Sequence, residues 1–170
     1  MAHARAECPT HRPCAKEGIT PPAFHDDLAD PQSKNPVARE SSRLSCAAVI
    51  GAQTTLDPKQ MVEWTPNSRY GGHAFGLGSF TDFLKQREKI LPWIAEYSPY
   101  TLVTKDDPPV YLIYRTPPAI GKNQKDATHT SNFGVKLQEH CKSQGWIANS
   151  STRIYPRRNT PTQPPFSSHN

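Results

Sequence analysis

The chain has 170 residues and a formal net charge of +5; 35% of its residues are hydrophobic and 18 are proline. The hydrophobic share lies below the roughly 45–50% of ordinary domains (a figure that also counts glycine), and proline is about twice its usual ~5%, which argues against a core extending through the whole chain. The basic residues are not concentrated on one element, and no apolar run approaches the ~20 residues of a membrane-spanning helix, so we expect neither nucleic acid nor a membrane as a partner.

Both ends of the chain are polar and rich in proline, while apolar residues are clustered in the middle. We therefore expect a disordered N-terminal segment over residues 1–22, an ordered domain over 23–146 and a disordered proline-rich tail over 147–170. The first segment lacks the apolar stretch of a secretory signal. The four cysteines show no disulfide-framework spacing, which favours a reduced, cytoplasmic protein.

Ligand-type residues occur near the N-terminus as C-x-x-H-x-x-C, formed by Cys8, His11 and Cys14. His3 or His25 could complete a set of four zinc ligands. Because no second Cys/His pair follows at regular spacing, we expect neither a metal site nor a cofactor.

Short apolar runs predict two strands, over residues 46–50 and 110–114, the first ended by Gly51. Between them, residues 53–78 form a long polar and aromatic connection. A connection of this length between core elements is typical of a lid or a binding loop.

Helical periodicity predicts one helix over residues 79–96 and a second over about 132–144. Ser79 and Asp82 have the spacing of a capping box at the start of the first helix. Pro92 is expected to kink that helix or split it in two. The second helix carries apolar residues at four-residue spacing and is followed by a glycine that ends the pattern, namely Phe133, Leu137, Cys141 and Gly145.

This order of elements resembles the C-terminal half of an α/β-hydrolase. From AFHDDLADP to QKDATHTSNFGVKLQEHCKSQG, about residues 23–145, the chain resembles bacterial esterase/lipase-type α/β-hydrolases, in particular carboxylesterases related to those acting on acylated carbohydrates. The most specific segments are DDPPVYLIY and the Asp-containing loop and helix after it. The resemblance implies a partial α/β-hydrolase fold, with few parallel strands, flanking helices and a lid-like loop, and a small-molecule ester as substrate.

Such hydrolases use a serine in G-x-S-x-G, a histidine and an acidic residue. No G-x-S-x-G occurs in this chain, and Ser79 in GLGSF and Ser143 in CKSQG lack the spaced glycines. The resemblance places the acid at Asp126, in QKDATHTSNFG. The alternative is a surface aspartate near a helix start, where the helix dipole stabilises it.

The resemblance places the histidine after one further strand, where this chain reads WIANSSTRIYPRRN. Codon degeneracy permits another frame to encode Cys-Glu-Leu-Val-Tyr-Pro and then Lys-His, so we hypothesise that a frameshift near residues 143–145 replaced the last strand and the histidine. Four other histidines could serve as a base, His25, His73, His129 and His140. We rank His129 low because, three residues after Asp126, it is expected to lie on the start of the adjoining helix.

These observations predict a truncated remnant of a carboxylic-ester hydrolase, inactive because the nucleophile and the histidine are missing. One alternative is a small, non-enzymatic binding or interaction protein built on the same fragment, for which the sequence indicates no particular protein partner. Another is an active hydrolase with an unrecognised nucleophile. A remnant with two strands should leave strand edges unpaired and one sheet face partly bare, which predicts marginal stability.

Overall fold

The computed structural model describes residues 27–145. The expected disordered segments, the C-x-x-H-x-x-C motif and the hypothesised frameshifted strand lie outside the described residues. Within them the chain forms two strands, five α-helices and two short 3-10 helices, at Val37–Arg39 and Gly72–Phe75. This is a partial α/β arrangement, as the sequence predicts.

The two strands, β1 (Ala47–Ile50) and β2 (Val110–Ile113), pair in parallel, with Ala47 opposite Val110. Both agree with the predicted strands to within one residue. The backbone N–H of Gly51 extends the ladder by donating to the carbonyl of Ile113 at 2.8 Å. Parallel neighbours require a long crossover connection, which the helical segment between the strands provides.

The faces of the sheet differ in burial. Alternate residues on one face are 2–3% exposed, namely Ala47, Val49, Val110 and Leu112. On the other face, Ile50 is 59% exposed. One face is therefore partly bare within the described residues, as the sequence predicts.

The connection over residues 53–78 is more ordered than the sequence predicts, because it contains helix α1 (Pro58–Trp64). Asp57 caps this helix by accepting a hydrogen bond from the backbone N–H of Lys59 at 2.9 Å, and proline occupies the first helical position. Met61 and Trp64 are buried. This part of the connection therefore belongs to the core, and a lid role for the remainder stays a prediction.

The predicted helix over residues 79–96 is two helices, α2 (Phe80–Lys85) and α3 (Arg87–Tyr97). The expected break at Pro92 is wrong: the chain breaks at Gln86, and α3 continues through Pro92. A proline in a helix interior loses its bond to the carbonyl four residues earlier. Pro92 is the sixth residue of α3, so the bond it cannot donate is the one to the carbonyl of Glu88.

The expected cap at the start of α2 is confirmed at Ser79, whose hydroxyl accepts from the backbone N–H of Asp82 at 3.1 Å. The Asp82 carboxylate, which in a capping box accepts from the backbone N–H of the cap residue, here accepts from the Ser79 hydroxyl at 2.7 Å. The short helix α4 (Pro99–Leu102) follows α3 directly.

An ion pair connects α1 to α3. Arg87 binds the carboxylate of Asp57 through two nitrogens, with Nε 2.7 Å from Oδ1 and Nη2 2.6 Å from Oδ2. The side chains are 20% and 7% exposed, respectively. Burial alone raises the pKa of Asp57, but the hydrogen bonds from Arg87 and from the Lys59 backbone outweigh it and hold the pKa below its usual value.

Helix α5 (Ser131–Ser143) joins two hydrophobic clusters. Phe133, Leu137 and Cys141 are all buried, which confirms the predicted apolar face. Leu137 and Cys141 pack in the cluster beneath the sheet, whereas Phe133 packs with the residues of α1, α2 and α3. The first cluster also contains Ala47, Val49, Ala52, Val103, Val110, Leu112 and Tyr114; the second also contains Met61, Trp64, Phe83, Ile90 and Ile94.

The described cysteines have different states. Cys141 is a free, buried thiol, and burial raises its pKa to about 12. Cys46 is disulfide-bonded, which disagrees with the expectation of reduced cysteines, because disulfides persist in oxidising compartments. The cysteines therefore give no support to a cytoplasmic location. Over residues 27–145, none of the helices has the length and apolarity required to cross a bilayer.

Candidate functional site

Asp126 and His129 lie side by side in the loop between β2 and α5. Nδ1 of His129 is 3.0 Å from Oδ2 and 3.2 Å from Oδ1 of Asp126. The same carboxylate accepts hydrogen bonds from the backbone N–H groups of His129, at 3.0 Å, and Thr128, at 3.2 Å. The aspartate side chain thus closes the turn that brings the histidine back to it.

The charge of Asp126 determines which nitrogen of the neutral His129 ring carries the proton. Burial raises the pKa of Asp126, but hydrogen bonds from the backbone and the ring of His129 outweigh it and keep the pKa below its usual value. An ionised carboxylate can only accept hydrogen bonds, so Nδ1 must be the donor. The neutral ring therefore carries its proton on Nδ1 and keeps the lone pair of Nε2 available as a base.

This pair is open to solvent. The side chains of His129 and Asp126 are 59% and 63% exposed. No other side chain within residues 27–145 forms a hydrogen bond to the His129 ring, and no serine hydroxyl among them is a partner of Nε2. The His129 ring is thus oriented by Asp126, and no serine hydroxyl of residues 27–145 bonds to it.

The pair lies against the C-terminal end of the sheet. Gly51, directly after β1, approaches His129 so closely that a Cβ on the glycine would be 3.3 Å from Cβ of His129. Asp126 and His129 follow β2, the parallel neighbour of β1. In open α/β sheets, ligands bind outside the carboxyl ends of the strands, so the pair occupies the edge where chemistry is expected.

Asn132 holds the loop of this pair to α1. Its fully buried side chain accepts from the backbone N–H of Ala119 at 2.7 Å. Its Nδ2 donates to three oxygens at 2.8–3.1 Å, the carbonyls of Trp64 and Ala119 and the hydroxyl of Thr65. One amide therefore joins the start of α5, the end of α1 and the loop between β2 and α5.

Two further contacts hold the same loop. Asn67 and Gln124 exchange two hydrogen bonds between the side chain of the first and the backbone of the second, at 2.8 and 3.0 Å. The hydroxyl of Ser131 donates to the carbonyl of Thr116 at 2.7 Å. The Asp126–His129 turn, although exposed, is therefore attached to the core on both of its sides.

The other histidines considered as a base have different surroundings. The ring of His73 contacts Tyr70 edge-on, with 4.8 Å between centroids. His140 stacks on Tyr100 at 4.2 Å, and burial lowers its pKa. Neither hydrogen-bonds to Asp126, and His25 lies outside the described residues.

The two serines with partial motif matches both have structural roles. Ser79 caps α2, and the hydroxyl of Ser143 donates to the carbonyl of His140 at the end of α5. Neither forms a hydrogen bond to His129.

His129 is the residue that sequence reasoning undervalued. Helix α5 begins at Ser131 with Thr130 as its cap, so His129 precedes the helix and its ring faces Asp126. A sequence signal existed: an aspartate and a histidine three positions apart, directly before a capping threonine, have the spacing of a turn.

No protein-family model matches the chain, and no curated protein does. Among solved structures, it is similar to an acetyl ester-xyloside bifunctional hydrolase from Caldicellulosiruptor lactoaceticus, with a TM-score of 0.47 and 13% identity over 79% of this chain and 41% of that one. It is also similar to a truncated form of a carbohydrate esterase from gut microbiota, with a TM-score of 0.41 and 13% identity over 74% of this chain and 42% of that one. The chain spans about two fifths of the length of both structures.

Proposed function

We propose that the chain is a remnant of a carboxylic-ester hydrolase and carries the acid–base half of its site. Asp126 is the acid and His129 the base. The observation that carries the proposal is the contact between Nδ1 of His129 and the Asp126 carboxylate at 3.0 Å. In serine-dependent ester hydrolysis, such a carboxylate orients the imidazole, whose Nε2 takes the proton of the attacking hydroxyl.

A second part of the proposal is that the chain does not hydrolyse esters by itself, because it lacks a recognisable nucleophile. The sequence contains no G-x-S-x-G, and no serine within residues 27–145 bonds to His129. A base without a nucleophile cannot form an acyl-enzyme. The substrate class of the intact site is a small-molecule ester.

A non-enzymatic interaction protein is the alternative, and one surface feature favours it. On α3, Trp93 and Tyr97 lie four positions apart and are 56% and 46% exposed. Residues at this spacing share one helix face, and exposed aromatic residues are enriched where proteins bind partners. The two functions are distinguished by substitution. In an interaction protein, changes at Trp93 and Tyr97 should weaken partner binding. In a hydrolase site, changes at Asp126 and His129 should alter the reactivity of the imidazole.

The hydrolase proposal is tested with two covalent reagents. A fluorophosphonate probe should label no serine, and hydrolysis of an aryl acetate should show no burst and no turnover above that of His129→Gln. Diethyl pyrocarbonate, an electrophile that is attacked by an unprotonated imidazole nitrogen, should modify His129 faster in the native protein than in Asp126→Asn. His73→Gln serves as the matched control and should leave the His129 modification rate unchanged.

Two outcomes would contradict the proposal, in different ways. Labelling of a single serine, with turnover that His129→Gln abolishes, would show a complete and active site. Equal modification of His129 in the native protein and in Asp126→Asn would show that the carboxylate does not control the ring.

A further inference from the structure

We propose that Gly51 is a positioning residue for His129, because its lack of a side chain leaves the space in which the histidine contacts Asp126. The inference rests on the proposed function, because a positioning role has meaning only if His129 is a base. It gives the end of β1 a role in the site, although Asp126 and His129 both follow β2.

The first observation is the backbone of Gly51. Its φ is +63°, in the left-handed region that residues with a Cβ adopt at a cost. Its N–H is fixed by the bond to the carbonyl of Ile113 at 2.8 Å. The sheet therefore determines both the position of Gly51 and the direction in which a side chain would project.

The second observation is what occupies that direction. A Cβ on Gly51 would lie 3.3 Å from Cβ of His129 and 3.7 Å from both Cγ and Cδ2. The first of these distances is shorter than an ordinary carbon–carbon contact. A methyl group at this position would therefore displace the histidine, because the backbone of Gly51 is held by the ladder.

Displacement of His129 acts directly on its contact with Asp126. The ring nitrogen and the backbone N–H of His129 both bond to the same carboxylate, at 3.0 Å each. A displacement of a few tenths of an ångström therefore disturbs both bonds at once. The absence of a side chain at Gly51 thus allows the histidine to occupy the position in which both bonds form.

Other described glycines separate the two properties from the site: Gly71 also combines a positive φ, +104°, with a close approach, but its Cβ would meet Phe83 at 3.2 Å and not His129. Gly76 and Gly121 also have positive φ, +69° and +72°, but a Cβ on either would meet nothing within 4 Å. Their left-handed backbone serves a turn alone. Gly76→Ala therefore imposes the same kind of backbone strain as Gly51→Ala without touching the site.

The experiment compares Gly51→Ala, Gly51→Asn and Gly76→Ala by NMR. Asparagine tolerates a left-handed backbone better than alanine does but still carries a Cβ, so it separates the contact from the strain. The readouts are the pKa of the Asp126 carboxyl and the ¹⁵N signals that report which nitrogen of His129 is protonated. Neither readout depends on ester hydrolysis, so failure of this inference is distinguishable from failure of the proposed function.

Both Gly51 variants should raise the pKa of Asp126 toward the ordinary value of about 3.9 and reduce the share of His129 protonated on Nδ1. Gly76→Ala should leave both readouts unchanged. A folded Gly51→Asn with an unchanged Asp126 pKa and an unchanged His129 tautomer would overturn the inference. So would unfolding of both Gly51 variants while Gly76→Ala stays folded, because Gly51 would then be a residue of the fold and not of the site.

Discussion

The ring of Tyr114 packs directly on Gly134, with no space for a side chain between them. A Cβ on Gly134 would lie 2.3 Å from Cε2 of the tyrosine, which is far inside van der Waals contact. Tyr114 is 1% exposed, and its hydroxyl donates to the carbonyl of Ala52 at 2.7 Å. The glycine thus allows α5 to pack against the end of β2, even though glycine weakens a helix interior.

Gly134→Ala should destabilise the protein by about 1–3 kcal/mol, because the ring cannot move without losing its hydrogen bond. Urea denaturation measures this change. Gly78→Ala is the control, since a Cβ there meets nothing, and it should change the stability by less than about 0.5 kcal/mol. Tyr114→Leu should remove much of the penalty when combined with Gly134→Ala. Equal stability of Gly134→Ala and the native protein would contradict this packing.

Asn132→Ala should lower the free energy of unfolding by about 1–3 kcal/mol, because it removes the four hydrogen bonds of a fully buried side chain. The backbone N–H of Ala119 loses its bond to Asn132, whereas the carbonyls of Trp64 and Ala119 keep the bonds that they accept from Gly121 and Lys122. Asn123→Ala, at an exposed position of the same loop, is the matched control and should be nearly neutral. If the two variants are equally stable, Asn132 does not hold the loop to α1.

Asp57→Asn should lower the stability at neutral pH by about 1–3 kcal/mol, because Arg87 loses its charged partner while asparagine still caps α1. The native pKa of Asp57 lies below its unfolded value. Its contribution to stability is therefore complete above about pH 3.9 and is lost as the pH falls through the lower folded pKa. The variant should show a weaker loss of stability on acidification than the native protein.

Unfolding curves between pH 2 and pH 7 test this dependence. Arg87→Met should flatten the same acid region, and the double variant should lose less than the sum of the two single changes. An acid dependence unaltered in Asp57→Asn would show that other carboxyl groups are responsible.

Cys141 should resist alkylation in the native protein at pH 8. Its thiol is fully buried with a pKa of about 12, so almost none of it is the reactive thiolate. Mass spectrometry should show slow iodoacetamide modification that accelerates with urea, in parallel with unfolding. Fast modification in the absence of urea would mean that α5 separates readily from the sheet.

Ile50→Lys should reduce aggregation. Within residues 27–145 the sheet has two strands, and Ile50 is 59% exposed at the end of β1. Charged residues at strand edges block pairing between molecules. Leu28→Lys is the control, because Leu28 is 79% exposed but lies outside the sheet. On heating, light scattering should be lower for Ile50→Lys than for the native protein and unchanged for Leu28→Lys.

The parts of the fold that follow a repeating pattern were predictable from sequence. Phe133, Leu137 and Cys141 recur at helical spacing, and all three are buried. Helix α1 lacked such a pattern, because Met61 and Trp64 are its main apolar residues. Only the Asp-Pro pair at its start marked it, and that signal is easily read as a turn.

The break at Gln86 illustrates a different limit. Proline is the strongest local signal for a helix interruption, yet Pro92 lies inside α3. The packing of Phe83 and Ile90 in the same cluster sets the relative position of α2 and α3. Such tertiary packing overrides local propensity and is not visible in a single sequence.

For the candidate site, the position of Asp126 followed from a family resemblance, whereas its partner did not. The resemblance directed attention to a histidine far along the chain. The histidine that contacts Asp126 is three positions away, and its role depends on where α5 begins. A shift of that start by two residues would place His129 in the helix instead of in the turn.

The contact between Asp126 and His129 does not require distant segments of the chain to be ordered, unlike the contacts of triads assembled from distant segments. Closing a loop costs an entropy that grows with the number of residues enclosed, by about 0.6 kcal/mol for each doubling, and here the loop is a single turn. The contact can therefore form early during folding and persist through openings of the sheet that separate Gly51 from it. A four-residue unit of this kind is also transferable: grafted before the cap of another helix, Asp-Ala-Thr-His should carry its carboxylate–imidazole contact with it.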